Sequence, residues 1–213
     1  MSEKRVAVFI DWANTFHHVN MDLVKFREFL DSLATIHVVY AYVVDFRELR
    51  KKDDSTESKR SPQGFWHMMR KLGFRLCLKP VKVIQREGED DLHKANWDIG
   101  MTIDILKTAQ SGKVDEIILF SGDSDFEPLI EEIKSPPHLI KVIVVARGWQ
   151  TASELRICAD RFIDLEEHLP EFSRPYQGRS RREIVEEAQR PPASTAPLPE
   201  TVPLTDDDID IPF

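Results

Sequence analysis

Apolar runs and helix-period segments alternate along this chain. Near-continuous apolar runs cover residues 5–10, 36–44, 74–84, 116–120, 139–145 and 161–165, and each reads as a strand buried on both faces. Between them apolar positions fall three and four apart, the spacing of a helix with one buried stripe. Such segments lie at 23–33, at 62–72 (through Phe65, Met68, Met69 and Leu72, stopped by Gly73), at 96–109, at 127–133 before Pro136-Pro137, and at 153–158. Polar stretches at 47–60 and 85–94 read as loops. Strands that alternate with helices predict an α/β fold, with a mostly parallel sheet and helices on both faces. In such a sheet ligands collect beyond the carboxyl ends of the strands, where the strand order reverses.

Past residue 165 the pattern changes. Residues 179–190 have the composition of a short charged helix, 190–199 form a Pro-rich linker that stays extended, and the chain ends in Asp206-Asp207-Asp208-Ile209-Asp210-Ile211-Pro212-Phe213. This divides the chain into a domain at 1–168, a charged segment and linker at 169–205, and an acidic tip at 206–213, the last two forming a disordered C-terminal tail. Residues 166–213 carry −6 of the net charge of −8, so residues 1–165 are close to neutral. Basic residues at Arg47, Arg50, Lys51, Lys52, Lys59 and Arg60 are then either a phosphate-binding face or a solvated loop.

Several classes drop out. No apolar run approaches the ~20 residues of a membrane span. Met1-Ser2-Glu3-Lys4-Arg5 leads directly into the first strand without a signal-peptide pattern. Two cysteines, Cys77 and Cys158, make no disulfide scaffold. A soluble, cytoplasmic protein is expected. No Gly-rich phosphate loop and no His/Cys zinc spacing occur.

The chemistry sits in the acids. Ile117-Ile118-Leu119-Phe120 runs into Ser121-Gly122-Asp123-Ser124-Asp125-Phe126, and Val6-Ala7-Val8-Phe9-Ile10 runs into Asp11-Trp12-Ala13-Asn14. Both place carboxylates at the carboxyl end of a buried strand. Crowded carboxylates repel one another, and a divalent cation is the usual remedy. Asp98, at the start of a helical segment, is a third candidate. Asp104 lies six residues on, about 240° around the helix from Asp98, and cannot face the same cleft. Simpler roles exist: Asp11 or Asn14 would cap the next helix, and Asp98 would complement the helix dipole. A phosphatase of the haloacid dehalogenase type needs a second Asp two residues after the first, and Ala13 stands there.

These pieces resemble the NYN domain family, PIN-like, LabA-type nucleases with a Rossmannoid sheet. The matching segments are Phe9-Ile10-Asp11-Trp12-Ala13-Asn14, Lys94-Ala95-Asn96-Trp97-Asp98, Ser121-Gly122-Asp123-Ser124-Asp125-Phe126, and Ala159-Asp160-Arg161-Phe162-Ile163-Asp164-Leu165. The resemblance implies a Mg- or Mn-dependent nuclease acting on RNA, with single-stranded DNA as the second candidate substrate. It implies Asp11, Asp98 and Asp123 as metal ligands, Asp125 as a further catalytic acid, and Asn14, Lys94 and Ser121 as substrate contacts. His17 and His18 are expected at the surface. The alternative is a non-catalytic nucleic-acid- or protein-binding adaptor on the same fold.

The last residues resemble the acidic tip of bacterial single-stranded DNA-binding proteins, which also ends in Ile-Pro-Phe after a run of Asp. Asp206, Asp207, Asp208 and Asp210 suit a basic rim, Ile211 and Phe213 an apolar pocket, and Pro212 lowers the entropy lost on docking. The implied partners are proteins that bind that tip. A solubilising tail, or one that folds back on its own basic cleft, are the other readings.

Overall fold

The computed structural model describes residues 4–16, 19–45, 62–84, 92–94 and 96–174. In chain order its elements are β1 (Val6–Asp11), α1 (Trp12–Thr15), α2 (Leu23–Leu33), β2 (Ile36–Asp45), α3 (Pro62–Lys71), β3 (Phe74–Pro80), β4 (Lys82–Ile84), β5 (Leu92–Lys94), α4 (Asp98–Gln110), β6 (Glu116–Phe120), a 3-10 turn (Ser124–Phe126), α5 (Glu127–Lys134), β7 (Lys141–Ala146), α6 (Ser153–Cys158), β8 (Arg161–Asp164) and α7 (Leu165–Phe172).

Six strands form one sheet in the order β3-β2-β1-β6-β7-β8, and every neighbouring pair is parallel. The order reverses between β1 and β6, so the switch point lies where Ile10 pairs with Phe120. Side chains alternate across the sheet. Val6, Val8 and Ile10 of β1 meet Phe26, Phe29 and Leu30 of α2, Met69 of α3 and Phe172 of α7. Ala7 and Phe9 meet Met101 and Ile105 of α4, Ile130 and Ile133 of α5 and Leu155 of α6. Both faces are therefore covered, which is why the strands read as unbroken apolar runs rather than alternating ones. The α/β fold expected from the sequence is the one observed.

Several boundaries differ from the expectation. The apolar run at 74–84 is two strands, because the partner strand β2 ends at Asp45, opposite Pro80. Val81 N donates to Asp45 O, and β4 then leaves the sheet to pair antiparallel with β5, whose residues fall in the stretch expected to be a loop. Leu139, expected in a strand, has φ 55 and lies before β7. After β8 the chain forms a helix that the pattern did not announce. Asp164 caps it by accepting from Glu166 N, while Leu165 and Phe172 are buried. The expected domain boundary at residue 168 falls inside this helix. Arg174 then pairs with Asp22 at 2.8 Å. The basic stretch at 47–60, His17, His18, the charged segment and linker from residue 175 on, and the acidic tip lie outside the described residues. Among those described, no helix is long and apolar enough to cross a membrane.

Phe26 is the hub of one core layer. Its ring lies 5.0–6.4 Å from those of Trp12, Phe16, Phe29, Phe74, Phe120 and Phe172. Truncating Phe26 to Ala removes a fully buried ring and is expected to cost about 3–5 kcal/mol. A thermal melt should fall by roughly 10 °C; an unchanged melt would contradict this packing.

Candidate metal centre

Strands β1 and β6 are hydrogen-bonded neighbours, and the turns that leave their carboxyl ends are fastened together. Asn14 Oδ1 accepts from Gly122 N at 3.0 Å, and Thr15 Oγ1 donates to Phe120 O at 2.9 Å. On the first turn, Asp11 is 8% exposed and its Oδ1 accepts from Asn14 N at 3.1 Å, capping α1. On the second, Ser121 is fully buried and its Oγ accepts from Asp123 N. Asp123 Oδ1 in turn accepts from Asp125 N at 3.0 Å, capping the 3-10 turn and folding Asp125 back beside it. Space at Gly122 is tight: a Cβ there would lie 3.0 Å from Thr151 Oγ1.

The third arm comes from α4. Trp97 precedes it, with its ring 5.3 Å from and edge-on to Tyr42 and its Nε1 donating to Val43 O at 3.1 Å. That anchor sets Asp98, the first helical residue, over the switch point. Asn96 Nδ2 donates to Asp98 Oδ2 at 2.5 Å. Lys79, at the end of β3, donates to Asn96 O at 2.7 Å and lies 5.2 Å from the Trp97 ring centroid.

One carboxylate oxygen from each of Asp98, Asp123 and Asp125 lies within 4.8 Å of the others. Carboxylate oxygens are the donors that hard divalent cations take, so this group is a candidate cation site. Asp11 is not a member of that group but stands close enough to feel it. Burial, then the charges of Asp98 and Asp123, push its carboxyl up to about 6. Burial, then Asp123 and Asp125, also raise the Asp98 carboxyl, against the opposing charge of Lys79.

The close group thus contains Asp125 where the sequence pointed to Asp11, whose inner oxygen is committed to the α1 cap. Asp104 faces elsewhere. It accepts from Tyr42 Oη at 2.9 Å and lines a separate cleft of about 460 Å³ with Tyr40, Arg75 and Lys107, towards the far end of α4. Lys94 ends β5, and its side chain lies outside the described set. Lys79 was missed. Its place beside Asp98 depends on β3 lying against β2, with Val44 opposite Lys79, which no local pattern reveals.

Comparison with known proteins gives the same class. The NYN domain matches residues 5–166, and the chain belongs to the NYN domain family. That family is a branch of the PIN-like nucleases, which ties the chain to nucleic-acid function. The chain is 30% identical over 202 residues to the low amplitude and bright protein LabA of Synechococcus elongatus, covering 91% of this chain and 95% of that one. It is also similar to a crystallised protein of unknown function from Vibrio parahaemolyticus, with 28% identity and a TM-score of 0.60 over 81% of this chain and 97% of that one.

The burial of Asp11 beside the other acids has a measurable consequence. A carboxyl whose folded-state pKa is raised stabilises the fold fully below about pH 4 and loses that contribution as pH rises through about 6. In EDTA, Asp11→Asn should therefore match the wild type near pH ~4. It should exceed it at pH ~7.5 by up to about 3 kcal/mol. Denaturant melts at the two pH values check this; a variant less stable than wild type at the higher pH would contradict it.

Proposed function

We propose that the protein is a Mg- or Mn-dependent nuclease that cleaves the phosphodiester bonds of RNA. The observation that carries this is the convergence of Asp98, Asp123 and Asp125 oxygens within 4.8 Å at the switch point of a parallel sheet, in a chain of a nuclease-related family. These three residues would hold the cation through oxygen, with Asp11 behind them deepening the negative potential. A bound Mg²⁺ or Mn²⁺ would supply Lewis-acid stabilisation of the scissile phosphate and a more acidic water.

The chain's own residues do the rest. Lys79 sets an ammonium beside Asp98, where it offsets carboxylate charge that would otherwise repel a phosphate. Asn14 commits Oδ1 to Gly122, while its Nδ2 donates to none of the described residues and is available to a phosphate oxygen. Ser121 acts through the turn, by holding the Asp123 amide. No nucleophilic side chain is required, since water attacks in line.

The test is cleavage of end-labelled single-stranded RNA and DNA in Mn²⁺ and in Mg²⁺. RNA cleavage that EDTA abolishes is expected, and Asp123→Asn should reduce it by at least ~100-fold, about 2.7 kcal/mol of transition-state stabilisation. Cleavage that survives Asp123→Asn would place the chemistry elsewhere. A wild type inert in both ions would leave a nucleic-acid-binding adaptor.

The acidic tip is a second element of the proposal, supported by its sequence: a mixed acidic and apolar peptide ending in Ile211-Pro212-Phe213. It docks onto cytoplasmic proteins whose basic, apolar pockets take the like-ending tip of single-stranded DNA-binding proteins. Removing residues 206–213 should leave RNA cleavage unchanged and abolish capture by an immobilised tip-binding protein. Equal capture of the truncated chain would contradict this role.

A further inference from the structure

The loop after β7, residues 147–152, is more tightly built than a connection needs to be. Gly148 N donates to Asp164 Oδ1 at 3.1 Å, and a Cβ at Gly148 would overlap Asp164 Oδ2. Gln150 N and Thr151 Oγ1 both donate to Arg147 O, and Arg156 reaches Gly148 O at 3.4 Å. Arg147 Nε lies 3.3 Å from Glu166 Oε1, an ion pair without hydrogen-bond alignment. This frame holds one large apolar side chain out in solvent: Trp149 is 70% exposed. Its Nε1 donates to the same Glu166 Oε1 at 3.3 Å, which fixes one edge of the indole. Among the described residues no aromatic ring pairs with it.

A single exposed apolar residue is ordinary. An indole tethered by its edge, on a loop held by these hydrogen bonds, is a preformed flat surface. The loop also belongs to the acidic centre's surroundings, because Thr151 packs against Gly122, the residue before Asp123. Strand β8, whose end leads into Glu166, lies two positions from β6 in the sheet, or about 10 Å.

We propose that Trp149 is a stacking platform for an unpaired base of single-stranded nucleic acid whose backbone crosses the acidic centre. The inference rests on the nuclease reading for the direction of the strand, and on the loop for the platform itself. Stacking on an indole face suits any base, so the platform contributes affinity and strandedness rather than sequence preference. A base inside a duplex is already stacked on its neighbours and has no face to offer, so the site selects single strands.

Binding is measured in EDTA, where no cleavage occurs, by anisotropy of a fluorescein-labelled single-stranded RNA of roughly 12 nucleotides and of its duplex, using the full chain. Trp149→Ala should weaken single-strand binding about 10-fold, Trp149→Phe should restore most of it, and duplex binding should be indifferent to both. Equal single-strand binding by wild type and Trp149→Ala, an equal loss for the duplex, or no single-strand binding by the wild type would each overturn the platform. Cleavage in Mn²⁺ is run in parallel. A Trp149→Ala protein that binds and cuts like wild type removes the platform and leaves the metal centre. A wild type that binds through Trp149 but never cuts removes the nuclease and leaves the platform.

Discussion

Like charge held in a partly dry crevice is the constraint on which the rest of this molecule turns. Parallel β1 and β6 lie side by side, and the turns at their carboxyl ends bring Asp11 and Asp123 into one another's field. Helix α4 adds Asp98, and the 3-10 turn adds Asp125. Asp11 is the buried member, and its burial first, then the charges of Asp98 and Asp123, raise its carboxyl. On the proposed reading, a bound cation offsets that cost.

The remaining architecture keeps these groups from moving apart. Asn14 and Thr15 clamp the β1 turn to the β6 turn. The aromatic layer around Phe26 seats α1 and α2 from below, through Trp12 and Phe16. On the other face Trp97 pins the start of α4 to β2, and Asp104 ties the next turns of that helix to Tyr42. The loop carrying Trp149 meets the same turn from the β7 side. The acids are thus gathered mainly by packing and hydrogen bonds among other groups, with the acids themselves engaged in the caps formed by Asp11 and Asp123 and in the Asn96–Asp98 hydrogen bond.

What was legible in the sequence depended on range. Asp11 and Asp123 could be read because an apolar strand leads straight into each, and strand ends are where parallel sheets expose side chains. Asp98 could be separated from Asp104 because helix geometry puts them on different sides. Asp125 joins the close group through a 3-10 turn of three residues, which leaves little trace in composition. Lys79 owes its place to strand register. The β4–β5 hairpin pairs across a polar stretch with no hydrophobic pattern. Helix α7 was hidden by Pro170, which sits inside it. Local periodicity reports local structure; partners brought together by the sheet leave no local mark.

The most direct measurement is calorimetric titration of Mn²⁺ into the metal-free chain, with Asp98→Asn and Asp123→Asn beside the wild type. Saturable binding that weakens by about 10-fold or more in each variant is the expected result, since each removes one charged ligand. Binding unaffected by either change, or no binding at all, would contradict the account.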